Sequence, residues 1–336
     1  YYYALMLKID GEYLEAENVL QDFENTYEPK DSSDHYKELA HLHYEGSVLA
    51  LDEFQKPVRD FEFHGLDSVL NTSFSEFAPA IYENDSSLVF ASSRITEDND
   101  EIYGRSGEGF LDIFWFQKSD NGWFSQTKRE IEEKFTVVNS KFNDGAGVFN
   151  SKKDKYYFTR CDVKNKEKTD FQCGIYVTSF LDGFWQEPLR LNKNINPDNV
   201  WNAQPALSPE NDTLFFVSKR EGGYGQHDIW YSIRENNDEN IESWGEAKNM
   251  GDKINTPYID LSPSYYAKEH VLFFSSNGHK GFGGLDIFIA KGKKYDNVYN
   301  LGLPFNSNKD DFYFVLGKKI GYSSSNREGQ GNDDIF

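Results

Sequence analysis

Basic side chains are scarce in this 336-residue sequence: 35 Lys and Arg stand against 56 Asp and Glu, a formal charge of −21. Nucleic acids and anionic membrane surfaces are gripped by clustered Lys and Arg, so the shortage argues against both as partners. No run of 18 apolar residues occurs, which excludes a direct membrane span by a helix. The seven histidines, at 35, 41, 43, 64, 227, 270 and 279, form neither H-E-x-x-H nor another zinc spacing. No G-x-S-x-G is present, and the nearest approach to a sialidase-type S-x-D-x-G-x-x-W box, SDNGW at 119–123, lacks its spacing. The sequence therefore assigns no catalytic residue and no cofactor. It opens on Tyr1 rather than Met and reads as a processed or excised piece of a longer protein.

What the sequence has is aromatic residues, 28 Phe, 21 Tyr and 6 Trp, which favour pleated, half-buried strands. The first 56 residues are different. Ala4, Leu5, Leu7, Tyr13, Ala16, Val19, Leu20 and Phe23 fall on helical spacing broken by Asp10-Gly11, and Pro29 follows the second helix. This hairpin resembles one tetratricopeptide repeat, carried by Tyr3, Ala4, Gly11, Tyr13, Ala16, Leu20 and Pro29. One repeat cannot bury its own apolar face, so further copies are expected before Tyr1. A third helix is predicted from about Ser33 to Glu53, and Pro57 ends the segment.

From 57 to 336 an internal repeat sets the fold. The apolar strands SSLVFASSR (86–94), KYYFTRC (155–161), TLFFVSKR (213–220), VLFFSSNG (271–278) and KIGYSSSNR (319–327) are each followed by a second strand. That second strand is anchored at Asp112, Gly174, Asp228, Asp286 and Asp334 in turn, a period of roughly 50–60 residues. Units of four short strands at this period mean a β-propeller, because stacked meanders cover faces that one meander leaves exposed. Five units are counted; the alternative of six needs an unassigned stretch that is not there. The fold class is thus mainly β, a five-bladed propeller after a short all-α segment. The last unit stops on its third strand, so strand 58–64 is expected to complete that blade and close the ring.

Cys161 ends the second strand of the second unit and Cys173 begins the third, with a polar loop between them. They sit opposite each other at a hairpin base, where a disulfide would restrain the loop by roughly 2–4 kcal/mol. Two reduced thiols in a reducing compartment fit the same spacing. A metal pair would need further Cys or His nearby, and none is there. The disulfide, and with it an oxidising compartment, is the expectation taken.

The repeated Asp112, Asp228, Asp286 and Asp334 precede apolar strands, so they are expected to be structural anchors. Each would accept turn N–H groups or pair with Arg94, Arg220 or Arg327. The acidic loop TEDNDEIYG offers Asp98, Asp100 and Glu101 as a weak calcium set without the rest of an EF-hand loop. The glycine-rich GGYGQHD and GHKGFGGLD lead into no helix and are read as positive-φ turns rather than phosphate loops.

The series NTSFSEFAPAIY, QPALSPENDTLFFVSKREGGYGQHDIW, LFFSSNGHKGFGGLDIF and GYSSSNREGQGNDDIF resembles the TolB/WD-like propeller of Bacteroidetes outer-membrane proteins of the OmpA family. Tetratricopeptide repeats precede the propeller in that family, and a carboxypeptidase-regulatory-like and an OmpA-like domain follow it. The resemblance covers essentially the whole chain and departs from the pattern at Gly174. It implies a periplasmic, outer-membrane-associated, non-enzymatic scaffold, as in PorE-like members of the type IX secretion and gliding motility apparatus. By the same resemblance the partners are outer-membrane complexes, including PorP/SprF-like barrels, tethered to peptidoglycan through domains this chain lacks. Loops 95–108, 162–172 and 234–243 are candidates for partner contact. The rival expectation is a glycan-binding or glycan-hydrolysing propeller, which calls for two or three carboxylates converging on the central funnel.

Overall fold

The computed structural model describes all residues except 32–33, 58–60, 83–84, 86, 97–101, 103–105, 120–121, 126–136, 142, 164–170 and 237–240. Three helices come first: α1 (Tyr2–Ile9), α2 (Tyr13–Thr26) and α3 (Tyr36–Phe54). Gly11, at φ +83°, makes the turn between α1 and α2, a backbone conformation that side chains with a Cβ resist. Small Ala4 and Ala40 with Leu20 form the core of the helical segment.

Five antiparallel sheets follow. The first is β1 (Glu76–Tyr82), β2 (Ser87–Ser92), β3 (Asp112–Ser119) and β4 (Gly122–Ser125). The second is β5 (Asn143–Phe149), β6 (Lys155–Val163), β7 (Phe171–Leu181), β8 (Phe184–Trp185) and β9 (Leu189–Arg190). The third is β10 (Asn202–Leu207), β11 (Thr213–Ser218), β12 (Asp228–Ile233) and β13 (Lys248–Asn249). The fourth is β14 (Asp260–Tyr266), β15 (Val271–Ser276), β16 (Asp286–Lys291) and β17 (Asn297–Asn300). The fifth has three strands, β18 (Asp311–Leu316), β19 (Gly321–Ser325) and β20 (Asp334–Ile335). The first strands β1, β5, β10, β14 and β18 touch one another in that order, and β18 touches β1. The chain is a five-bladed β-propeller preceded by three helices.

Strand alternation explains why the blades stack. Along β11, Leu214 and Phe216 pack toward the second blade while Phe215 and Val217 pack toward the fourth. Five such apolar clusters fill the five blade interfaces, and each fully buried Phe or Leu contributes about 1.5–3 kcal/mol. The cluster between the last blade and the first joins Tyr322 and Ile335 to Leu70, Leu88 and Phe90.

At the closure the structure differs from the expected strand. Residues 58–60 lie outside the described residues, and 61–67 form no ladder with β20. Because β20 is only two residues long, its outer edge is met by single groups instead. The Leu66 N–H donates to the Ile335 carbonyl at 2.9 Å, and Phe63 stacks on Phe336 with ring centres 5.6 Å apart. Among the described residues no helix is long and apolar enough to cross a membrane.

Candidate functional site

A fivefold polar clamp runs round the ring, and it accounts for most of the repeated polar residues. In each blade an asparagine just after the fourth-strand position reaches an isoleucine of the third strand. Asn71 does so to Ile335, Asn139 to Ile113, Asn196 to Ile175, Asn255 to Ile229 and Asn306 to Ile287. The amide oxygen accepts the isoleucine N–H and the amide NH2 donates to its carbonyl, at 2.7–3.0 Å throughout. One side chain thus substitutes for a strand edge. Asn71 sits 264 residues from Ile335 yet repeats the contact that each other asparagine makes.

The arginines join the same clamp. Arg94, Arg160, Arg220 and Arg327 each donate to the carbonyl of the residue preceding the asparagine: Leu70, Val138, Ile195 and Phe305. In the fourth blade His279 Nε2 takes that place against the Ile254 carbonyl at 3.0 Å; a carbonyl only accepts, so Nε2 carries the proton. The expected pairing of Arg94, Arg220 and Arg327 with the third-strand aspartates is not what forms. Arg94 pairs with Glu76, Arg160 with Asp144 and Arg327 with Asp311, all on first strands and all without solvent exposure of the acid side chain. These acids also accept the N–H of the residue four before them, from Thr72, Ser140 and Ser307, and Asp260 does likewise with Thr256.

The third-strand aspartates instead hold the preceding loops. Asp228 accepts from the N–H groups of Tyr224 and Gly225, Asp286 from Phe282 and Gly283, and Asp334 from Gln330 and Gly331. Asp112 is buried in the same register, opposite Ser92. The glycines of these loops serve close approach more than left-handed turning. A Cβ on Gly281 would lie 2.0 Å from the Asp286 carboxylate, and one on Gly331 would lie 1.8 Å from the Phe74 carbonyl. Of the GGYGQHD and GHKGFGGLD glycines only Gly222 has a positive φ.

In the second blade Gly174 lies against Arg190, where a Cβ would sit 3.1 Å from Arg190 Nε, and both line an open cleft of about 490 Å3. Cys161 and Cys173 stand opposite each other in the β6–β7 ladder and are joined by a disulfide. Asp98, Asp100 and Glu101 lie outside the described residues, as do parts of all three long loops proposed for partner contact. Among the described residues no group of three metal-ligating side chains is present.

Two opposite faces result from the topology. The helices dock on the face carrying the second-to-third-strand loops. There Lys8 is buried, donates to His43 Nδ1 at 3.4 Å and to the Gly283 carbonyl at 3.5 Å, and lies in the field of Asp286. Burial pushes the Lys8 ammonium down and the Asp286 carboxyl up, and each charge holds the other back. His43 is held down to about 3, by burial first and then by Lys8, so it accepts as a neutral ring. Tyr13 and Ala50 close over Phe282, Glu45 pairs with Lys280 at 2.6 Å, and Asn308 donates to the Ile9 carbonyl.

The other face opens into the central channel. Each first strand carries a bulge residue in the left-handed region: Ala78, Ala146, Gln204, Ser262 and Tyr313, with φ between +44° and +58°. Beyond the bulges the inner edges line a cavity of about 280 Å3. Pro79, Pro205 and Pro263 follow three of the bulges, where a missing N–H on an inner edge leaves no ladder bond unmade. Among the described residues its lining includes no Asp or Glu, and Lys153 is the one charged side chain in it.

The ring is similar to solved propellers of differing activity. TolB from Acinetobacter baumannii is 14% identical with a TM-score of 0.44, over 80% of this chain and 55% of that one. A protein of unknown function from Dyadobacter fermentans is 12% identical with a TM-score of 0.44, over 76% of this chain and 74% of that one. The β-xylosidase/α-arabinofuranosidase CoXyl43 from a compost metagenome is 11% identical with a TM-score of 0.48, over 82% and 93%. The chain spans about half the length of the TolB structure. No protein-family model and no curated protein sequence matches the chain. At these identities the likeness is one of fold alone.

One acid at the closure of this propeller sets a pH dependence. Burial first, then Asp310, Glu108 and Asp334, push the Asp333 carboxyl up to about 6. An acid whose folded value lies above its unfolded value of about 4 makes folding take up a proton. Its contribution is therefore fully favourable below pH 4 and is lost as pH rises through 6. Asp333→Asn is expected to raise the melting temperature at pH 8 by a few degrees and to leave it unchanged at pH 4. Thermal melts of both proteins at the two pH values check this; an equal shift at both would contradict it.

Proposed function

We propose that the chain is a non-catalytic protein–protein interaction scaffold of the bacterial envelope. Its helical segment, read as tetratricopeptide-like, and its propeller together would dock components of an outer-membrane assembly of the secretion or gliding type. The observation that carries this reading is the fate of the repeated carboxylates. Glu76, Asp144, Asp311, Asp228, Asp286 and Asp334 are buried and bound to arginines or backbone N–H groups, so none is aimed at a substrate. A glycosidase needs two carboxyl groups flanking one scissile bond, and among the described residues the central cavity lining includes no Asp or Glu. The disulfide supports an oxidising compartment such as the periplasm.

The test is affinity purification of the full-length protein from detergent-solubilised envelopes, followed by cross-linking. A β-barrel outer-membrane protein in fixed stoichiometry, cross-linked to the helices or to the loop face beneath them, is the expected result. Release as a free monomer by osmotic shock, or hydrolysis of aryl xylosides or arabinosides by the pure chain, would overturn the reading.

A further inference from the structure

We propose that the central cavity is a binding site for an apolar carboxylate, with the carboxylate held by Lys153 and its apolar part against the proline- and alanine-lined wall. The site is independent of the scaffold reading and lies on the face opposite the helices.

The first reason is what the cavity wall is made of. Pro79, Ala80, Pro205, Ala206 and Pro263 supply rigid apolar surface, and nothing anionic among the described residues lines it. In a chain of charge −21 a carboxylate would meet repulsion over most of the surface, yet the cavity presents a cation. Its volume of about 280 Å3 is at the small end of ligand pockets, which begin at roughly 300 Å3. That suits a short acid or the last residue or two of a chain, and not an oligosaccharide.

The second reason is the state of Lys153 itself. It occupies the left-handed position of the β5–β6 hairpin, at φ +61°, the place held by Asp85 and Asn211 in the first and third blades. Those two side chains tie their hairpins to the preceding blade: Asp85 accepts from the N–H groups of Lys318 and Lys319, and Asn211 bridges to Ser151. Lys153 makes the same kind of tie with one donor, to the Ile81 carbonyl at 2.9 Å. An ammonium carries three donors, so two remain for a ligand. A tie of this sort needs no charge, and the neutral Asn211 does it without one. Among the described residues no carboxylate forms an ion pair with Lys153, and burial alone pushes its ammonium down to about 8. An arriving carboxylate would restore what burial has removed, with a charge-assisted hydrogen bond.

Several polar neighbours are already committed, which gives the cation the largest part in the choice of ligand. Ser151 is held by Asn211, Ser208 donates to Asp212, Ser264 donates to the Phe314 carbonyl, and Asn150 donates to Asp154. A sugar would find few free partners here, and an acid would find one strong partner.

Isothermal titration with the intact chain tests the site, using 3-phenylpropionate and its amide, and a peptide ending in Ala-Leu with a free or an amidated terminus. Saturable binding of an acid, at least tenfold tighter than its amide, is expected. Lys153→Met should abolish that preference and Lys153→Arg should keep it, with melting curves showing both variants folded. Preference for the free acid over the peptide identifies a small-molecule site, and the reverse identifies a chain-terminus site; either is a carboxylate site. Equal binding of acid and amide, absence of binding at millimolar concentration, or undiminished preference in Lys153→Met would overturn the proposal. Should Lys153→Met fail to fold, loss of acid preference in the unsubstituted chain on acetylating its lysines, prevented by bound ligand, serves as the second measurement, and no loss would count against it.

Discussion

Replacing Asn71 by Ala is expected to destabilise the folded chain by about 3–5 kcal/mol. The side chain is 1% exposed and makes three hydrogen bonds, to the Ile335 N–H, the Ile335 carbonyl and the Leu66 carbonyl. Its removal leaves the buried Ile335 N–H unpaired and takes one bond each from the Leu66 carbonyl and from the Ile335 carbonyl, which keeps the Leu66 N–H; an unpaired buried backbone group costs about 1–3 kcal/mol. Asn196 makes the matching three bonds inside the second blade, to Ile175 and to the Leu191 carbonyl. The two alanine variants therefore lose the same local interactions. They differ in what lies behind them, because Asn71 also fastens the first blade to the last across the cluster of Leu70, Leu88, Phe90, Tyr322 and Ile335. Denaturant unfolding should show a comparable loss for both, with an added early transition only for Asn71→Ala. A loss under about 1 kcal/mol for Asn71→Ala would mean that the ring is held shut by something else.

The second large effect is expected at Gly46, where the usual sign reverses. In an exposed helix interior, Gly→Ala stabilises by roughly 0.5–1 kcal/mol. Gly46 lies inside α3, but a Cβ there would sit 2.3 Å from the Gly281 carbonyl oxygen and 3.0 Å from Lys8 Nζ. Neither neighbour can yield cheaply: one is backbone, and the other is buried against His43 and the Gly283 carbonyl. Overpacking of this kind costs about 1–3 kcal/mol, so Gly46→Ala should weaken docking of the helices and Gly46→Leu should release them. Limited proteolysis reads the outcome directly, as cleavage between residues 54 and 76 that leaves the propeller resistant. A Gly46→Ala chain more stable than the parent, with unchanged cleavage, would contradict the docking described here.

The repeat that defines the blades is legible in the sequence because it combines two periods: alternation along strands such as TLFFVSKR, and recurrence of an aspartate ahead of an apolar strand. The helices are legible from their spacing, with α3 starting at Tyr36 rather than near Ser33. The clamp is not legible in the same way. Asn71-Thr72, Asn139-Ser140, Asn196-Pro197, Asn255-Thr256 and Asn306-Ser307 recur plainly, yet Asn beside Thr, Ser or Pro is also what a solvated turn looks like. Only the fold shows that Asn71, Asn196, Asn255 and Asn306 are buried. The first-strand partners five or six residues after each asparagine are hidden by variation among Glu76, Asp144, Asn202, Asp260 and Asp311. His279 in place of arginine, and Arg160 two positions early in its strand, obscured the third member of the clamp. At the outer edge of the last blade, a side-chain amide and one backbone N–H meet β20.

The same economy bears on function. A propeller whose repeated acids are tied to its own backbone has a rigid frame with two distinct faces. One face seats the helices through Lys8, Gly46 and Phe282; the other opens on a small cavity whose only charged wall residue among those described is Lys153.

Hydrogen exchange at the five clamped isoleucines is the most direct measurement of the ring. The backbone N–H groups of Ile113, Ile175, Ile229, Ile287 and Ile335 each donate to an asparagine. A closed ring predicts that Ile335, though it is the penultimate residue, exchanges as slowly as the other four and only with global unfolding. Rapid exchange at Ile335, as from a fraying terminus, beside slow exchange at the others would show that the ring is open.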